Sequence, residues 1–137
     1  MSRVLLDTHL LLWWLKDDPR LPTSLVTELQ TDQHSVLISQ ASLWEMAIKA
    51  NLGRLSVDLT VLEGQVQAEG FQWLAISNEH LLEVARLETI EGHRDPFDRL
   101  LVAQSRVEPL RLFTCDRALQ AYGSCVRVIS EPTRPGS

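Results

Sequence analysis

Five short apolar runs, spaced by segments of helical character, organise the chain. Residues 3–6 (RVLL) read as a buried strand ending at Asp7, and 35–39 (SVLIS) as a second. Residues 71–76 (FQWLAI) alternate enough for a third strand, 110–114 (LRLFT) give a fourth ending near Asp116, and 126–129 (VRVI) a fifth. Helices are expected in between. The first covers 8–16, is apolar on nearly every face, and is closed by Asp17-Asp18-Pro19. The second starts at Pro22 or Thr23 and runs to about Thr31. Ser42 stands three residues before Glu45, a capping-box spacing, although Ser39 is an alternative start; that helix runs through Ala50 and stops at Gly53. Further helices are expected over 59–69, 78–87 and 96–106, with a short one ending at Tyr122.

Strands alternating with helices imply an α/β domain around a mainly parallel sheet. The 137 residues suit one domain, expected over 1–131, with 132–137 as a frayed C-terminal tail. With 45% hydrophobic residues the chain is not disordered. Its net charge of −5 argues against nucleic-acid binding through bulk charge, but not against a nucleic acid held locally by metal and a few cations. Two cysteines, Cys115 and Cys125, make no disulfide framework. No signal peptide opens the chain, and the apolar run at 10–15 is far too short to span a membrane. A cytoplasmic protein is the expectation.

The candidate chemistry lies in carboxylates. Ligands of open parallel sheets bind outside the carboxyl ends of the strands. Asp7 ends the first strand and Asp116 the fourth; Glu45 follows the second, and Asp98 lies in the first turn of the helix feeding the fourth. If the first and fourth strands are neighbours, these acids share a small volume and cannot all stay ionised unaided. A hard divalent cation such as Mg²⁺ is the natural remedy, and it points to phosphodiester hydrolysis by a metal-activated water. Each acid also has a purely structural reading. Asp98 fits N3 of a helix with Asp95 as N-cap and Pro96 at N1, Glu45 fits an i, i+4 pair with Lys49, and Asp7 and Asp116 fit helix N-caps. His9 is read as a packing or supporting group rather than a Mg²⁺ ligand, and His93 as a phosphate contact or a loop residue. Lys49, Arg94 and Arg99 are candidate phosphate contacts. A phosphatase forming an aspartyl-phosphate at Asp7 wants a second acid two residues on, where His9 stands.

Four stretches together carry a family resemblance: LLDTHLLLWWL (5–15), SLWEMAIKANLGRL (42–55), HRDPFDRLLVAQS (93–105) and LFTCDRAL (112–119). In order and spacing they resemble the PIN-domain nucleases, and within them the VapC-type toxins of toxin–antitoxin pairs, over nearly the whole chain. The resemblance implies a three-layer α/β/α sandwich with the first and fourth strands adjacent. It also implies an endoribonuclease dependent on Mg²⁺ or Mn²⁺, with Asp7, Glu45, Asp98 and Asp116 as the catalytic and metal-binding acids. Thr8 and Thr114 match supporting hydroxyls, and Asp95 is an extra acid of the D-P-F-D variant. Asp98 would then both cap its helix and hold metal. The implied partners are an RNA substrate, a second copy of the chain, and a VapB-like antitoxin whose C-terminal segment covers the acidic groove, in some members with an inserted Arg. A nuclease of this fold acting on other nucleic acid, and a non-catalytic PIN-like module that only binds a partner, are the alternatives. The surplus of apolar residues in the first helix fits either core or an interface.

Overall fold

The computed structural model describes residues 2–31 and 33–130; the expected tail over 132–137 lies outside the described residues. Strands β1 (Ser2–Leu6), β2 (His34–Ser39), β3 (Gln72–Leu74), β4 (Arg111–Thr114) and β5 (Val126–Val128) form one sheet in the order β3-β2-β1-β4-β5. Every pairing is parallel, and β1 lies directly against β4 with Leu6 opposite Phe113. The helices are α1 (Thr8–Leu15), α2 (Thr23–Leu29), α3 (Gln40–Asn51), α4 (Leu59–Ala68), α5 (Asn78–Val84) and α6 (Pro96–Val107), with a 3-10 helix at Arg117–Tyr122.

The two-residue period of a strand sends neighbouring side chains to opposite faces. Val4, Leu6, Val36, Ile38 and Phe113 meet Leu10, Leu11 and Trp14 of α1, Leu25 and Leu29 of α2, and Leu62 and Val66 of α4. On the other face Leu5, Leu37, Leu112 and Val126 meet Leu100, Leu101 and Val102 of α6. Helices therefore cover both faces of the parallel sheet, giving the three-layer α/β/α sandwich. Each fully buried Leu or Ile contributes about 1.5–3 kcal/mol, and Leu5, Leu10, Leu11, Ile38 and Leu112 are all wholly buried.

One local expectation is corrected, and one open alternative is decided. Ser42 is not the cap of α3. Ser39 is, accepting a hydrogen bond from the Ala41 amide at 2.9 Å, because the helix starts directly where β2 ends. Ser42 is instead buried beneath α1. In α1, Leu10, Leu11, Trp13 and Trp14 are buried and Leu12 and Leu15 pack partly against them, so the apolar surplus is core. Asp17, with φ of +50°, closes this segment in the left-handed region.

Strand order also fixes where a site can form. From β1 the chain proceeds outward to β2 and β3 on one side, then returns to lay β4 and β5 on the other. The carboxyl ends of β1 and β4 thus flank the switch point where a parallel α/β sheet opens a crevice.

Candidate active site at the carboxyl ends of β1 and β4

Asp7 follows β1 directly. Its amide donates to the Phe113 carbonyl at 3.0 Å, which carries the β1–β4 ladder one step further. Its carboxylate caps α1 by accepting from the Leu10 amide at 2.8 Å, and it accepts from the Thr114 hydroxyl at 2.6 Å. Thr114 Oγ1 in turn accepts from the Asp116 amide at 3.0 Å, so one buried hydroxyl joins the acids that end β1 and β4. Asp116 caps the 3-10 helix through the Ala118 amide at 2.9 Å.

Glu45 reaches the same crevice from α3. Thr8 Oγ1 donates to Glu45 Oε1 at 2.8 Å and lies 2.9 Å from Ser42 Oγ. Lys49, one turn along, donates to Glu45 Oε2 at 3.0 Å. The i, i+4 pair expected from spacing is present, and it holds a buried carboxylate rather than a solvated one.

Asp98 comes from the first turn of α6. The capping here belongs to Asp95, whose carboxylate accepts from the Phe97 and Asp98 amides at 2.8 and 3.2 Å, with Pro96 at N1. No backbone amide is bound to the Asp98 carboxylate among the described residues, which corrects the expectation that Asp98 itself caps the helix. Burial, then the charges of Asp95, Asp7, Glu45 and Asp116 in that order, push the Asp98 carboxyl up to about 7. Asp7 is raised as well, first by burial, with the Thr114 and Leu10 hydrogen bonds opposing it. Asp98 is thus the acid whose ionised form is disfavoured without a cation.

Histidine 93 joins this group. Its ring is buried, with Nε2 3.5 Å from Asp98 Oδ2 and 3.8 Å from Asp116 Oδ2, and Nε2 has no hydrogen-bond partner among the described residues. Tyr122 packs edge-on against the ring, with its hydroxyl 3.4 Å from Nδ1. Ligand atoms of His93, Asp98 and Asp116 all lie within 4.8 Å of one another. Those of Asp7, His9 and Cys115 do the same. The Cys115 thiol is pushed up to about 11 by burial and by the Asp7 charge, so it stays protonated at neutral pH and ligates poorly. The carboxylate-rich donor set, with an unpartnered imidazole nitrogen at its edge, fits a hard divalent cation.

The remaining expected residues divide. His9 is exposed, not packed, because Leu10 and Leu11 take the inner face of α1. Arg99 Nη1 donates to the Glu88 carbonyl at 3.1 Å and to the Tyr122 hydroxyl at 2.9 Å, so it holds the wall of the site together. Arg94 is exposed on the loop before α6. The role of Ser42 was missed because its position before Glu45 mimics a cap.

Comparison with known proteins bears on the fold that carries these residues. The model of the PIN domain matches residues 4–124. The chain belongs to the PIN domain family. It is 27% identical over 133 residues to Ribonuclease VapC22 of Mycobacterium tuberculosis, an alignment covering 89% of this chain and 93% of that protein. Among solved structures, the PIN-domain chain resembles VapBC2 of Rickettsia felis bound to a promoter DNA fragment (TM-score 0.68, 14% identity, 96% of this chain and 100% of that one). It also resembles DNA-bound VapBC of Salmonella typhimurium (TM-score 0.67, 16% identity, 94% and 98%) and a toxin–antitoxin complex of Klebsiella pneumoniae (TM-score 0.62, 18% identity, 91% and 96%). At these identities the structural likeness speaks for the fold. No helix among the described residues is long and apolar enough to cross a membrane.

Proposed function

We propose that this PIN-domain chain is an endoribonuclease dependent on Mg²⁺ or Mn²⁺ and the toxin of a VapBC-type toxin–antitoxin pair. The observation that carries the reading is the crowding at Asp98, whose carboxyl is raised to about 7 first by burial, then by its own helix's Asp95, and then by Asp7, Glu45 and Asp116, which reach it from three other segments. The named relative, Ribonuclease VapC22, gives the substrate class. A single domain spanning 1–131, acting on RNA in the cytoplasm, is part of the proposal.

Asp7, Glu45, Asp98 and Asp116 would hold the ion, with His93 beside Asp98 and Asp116. A divalent ion there supplies Lewis acidity, offsetting phosphodiester charge and acidifying water. The protein's share is to hold the ligands in place. Thr114 and the Leu10 amide orient Asp7 and favour its ionised form, while Thr8 and Lys49 fix both oxygens of Glu45. Asp95 secures the start of α6, and so the position of Asp98. The structural roles of Asp7, Glu45 and Asp116 are compatible with the proposed catalytic ones.

For the partners, Trp44, Ile48 and Leu52 are exposed at 56%, 38% and 58% along one stripe of α3, with Trp44 edge-on to Phe97 at 5.0 Å. That stripe, not α1, supports association of two copies, and a mass measurement at micromolar concentration showing only monomer would count against it. A VapB-like antitoxin follows from the solved relatives being toxin–antitoxin complexes.

The test is cleavage of RNA, DNA and a phosphomonoester with Mg²⁺, with Mn²⁺ and with EDTA. RNA should be cut only with a divalent ion, and Asp7→Asn and Asp98→Asn should abolish cutting while folding normally. Undiminished cutting by both variants, or in EDTA, would overturn the reading; cutting of DNA alone would move the substrate.

A further inference from the structure

A cleft of 280 Å³ opens beside the acidic cluster, between α1 and the far end of α3. Thr8, His9 and Lys49 line it, and these same residues touch or adjoin Glu45 and Asp7. Beyond them the walls carry Lys16, Arg20 and Arg54, with Asp18 as the one carboxylate. Arg20 is committed to Asp18 at 2.8 Å and lies over the Trp13 ring at 4.8 Å. Lys16 and Arg54 are exposed and have no carboxylate within salt-bridge distance among the described residues. On a chain of net charge −5 this is a local concentration of cations. A larger cavity of 670 Å³, which shares Asp18 with the cleft, is the contrast: Asp17, Asp18 and Glu69 line it, with no Lys or Arg.

We propose that the cleft is a phosphate-binding track in which Lys16 and Arg54 hold the backbone of single-stranded RNA flanking the scissile bond. This rests on the nuclease reading for its substrate and adds where the strand runs. A polyanion approaching four carboxylates is repelled by them, so the strand needs positive charge close by on a continuous path. The cleft supplies that charge and runs into the site through Lys49. Cations of this kind contact phosphate without reading bases, so they set affinity and salt dependence rather than sequence preference. A groove of this size takes one strand more readily than a duplex.

The experiment measures binding of a labelled twelve-nucleotide unstructured RNA by fluorescence anisotropy across a KCl series in EDTA. The full chain carries Asp98→Asn, so that binding is read apart from cutting. Each phosphate contact on a single strand contributes about 0.7 to the slope of log K against log salt. Lys16→Ala with Arg54→Ala should lower that slope by about 1.4. The double variant Arg86→Ala with Arg111→Ala, which removes equal charge outside the cleft, should leave it near the parent value. An unchanged slope in the cleft variant overturns the proposal, including the case in which the two cations serve an acidic segment of a protein partner. Equal loss in both double variants also overturns it, because general charge would then explain the binding. If the natural chain fails to cut RNA while the slope drops as expected, the nuclease reading fails and the track stands.

Discussion

Replacing Asp98 with Asn should stabilise the metal-free protein while destroying its activity. The Asp98 carboxyl rises from 3.8 to about 7, a shift of about 3 units, and each unit corresponds to ~1.4 kcal/mol. Because the folded value lies above the unfolded one, folding favours the protonated form. The penalty for ionising Asp98 is absent below the unfolded value, grows through the interval, and is complete above pH 7. At pH 8 in EDTA it reaches up to ~4 kcal/mol, and the neutral amide escapes it. Urea unfolding should therefore show Asp98→Asn more stable than the natural chain by about 1–4 kcal/mol at pH 8, and nearly equal to it at pH 4. Saturating Mg²⁺ should shrink that advantage at pH 8, since an ion bound only by the folded natural chain adds about 2.7 kcal/mol at 100 times its dissociation constant. A variant no more stable than the parent at pH 8, or one whose gain is the same at both pH values, would refute the crowding of carboxylates from which the site is argued.

Other consequences follow from single contacts. Thr114→Val removes the 2.6 Å hydrogen bond that favours ionised Asp7, so the acid limb of the pH–rate profile should move to higher pH and Thr114→Ser should restore it; an unshifted limb would contradict that role. Gln104, buried in α6, accepts from Ser39 at 2.6 Å and lies 3.3 Å from His80 Nδ1. Gln104→Leu leaves the α3 cap hydroxyl without this partner and should cost about 1–3 kcal/mol in thermal or urea unfolding. With its thiol pushed up to about 11 from 9.0, Cys115 should react with iodoacetamide at neutral pH about 10-fold more slowly than a free cysteine, the smaller thiolate fraction being partly offset by a more basic thiolate, as followed by peptide mass.

Local rules made much of the fold readable. The strands announced themselves as short apolar runs, and the start of α6 was fixed by Asp95 and Pro96, one supplying the cap and the other a φ suited to N1. Edges were less readable. The apolar run from Phe71 continues past Leu74, yet β3 is only Gln72–Leu74, since an edge strand pairs on one side alone and Phe71 serves the core. Of the site, the acids were visible because each ends a strand or begins a helix. His93 was legible only as a phosphate contact or a loop residue, because its place beside Asp98 and Asp116 depends on the loop ahead of α6 turning back on itself at Gly92, with φ of +78°, and on the Tyr122 ring contributed by a later segment. The basic cleft was hidden for a similar reason. Lys16 and Arg54 are distant along the chain and meet only where α1 and the end of α3 converge.

The most direct measurement is the anomalous scattering of crystals soaked in Mn²⁺ at pH 8. The account predicts a peak enclosed by the carboxylates of Asp7, Glu45, Asp98 and Asp116, lost in Asp98→Asn. No peak there, or a peak held only by Asp7, His9 and Cys115, would contradict it.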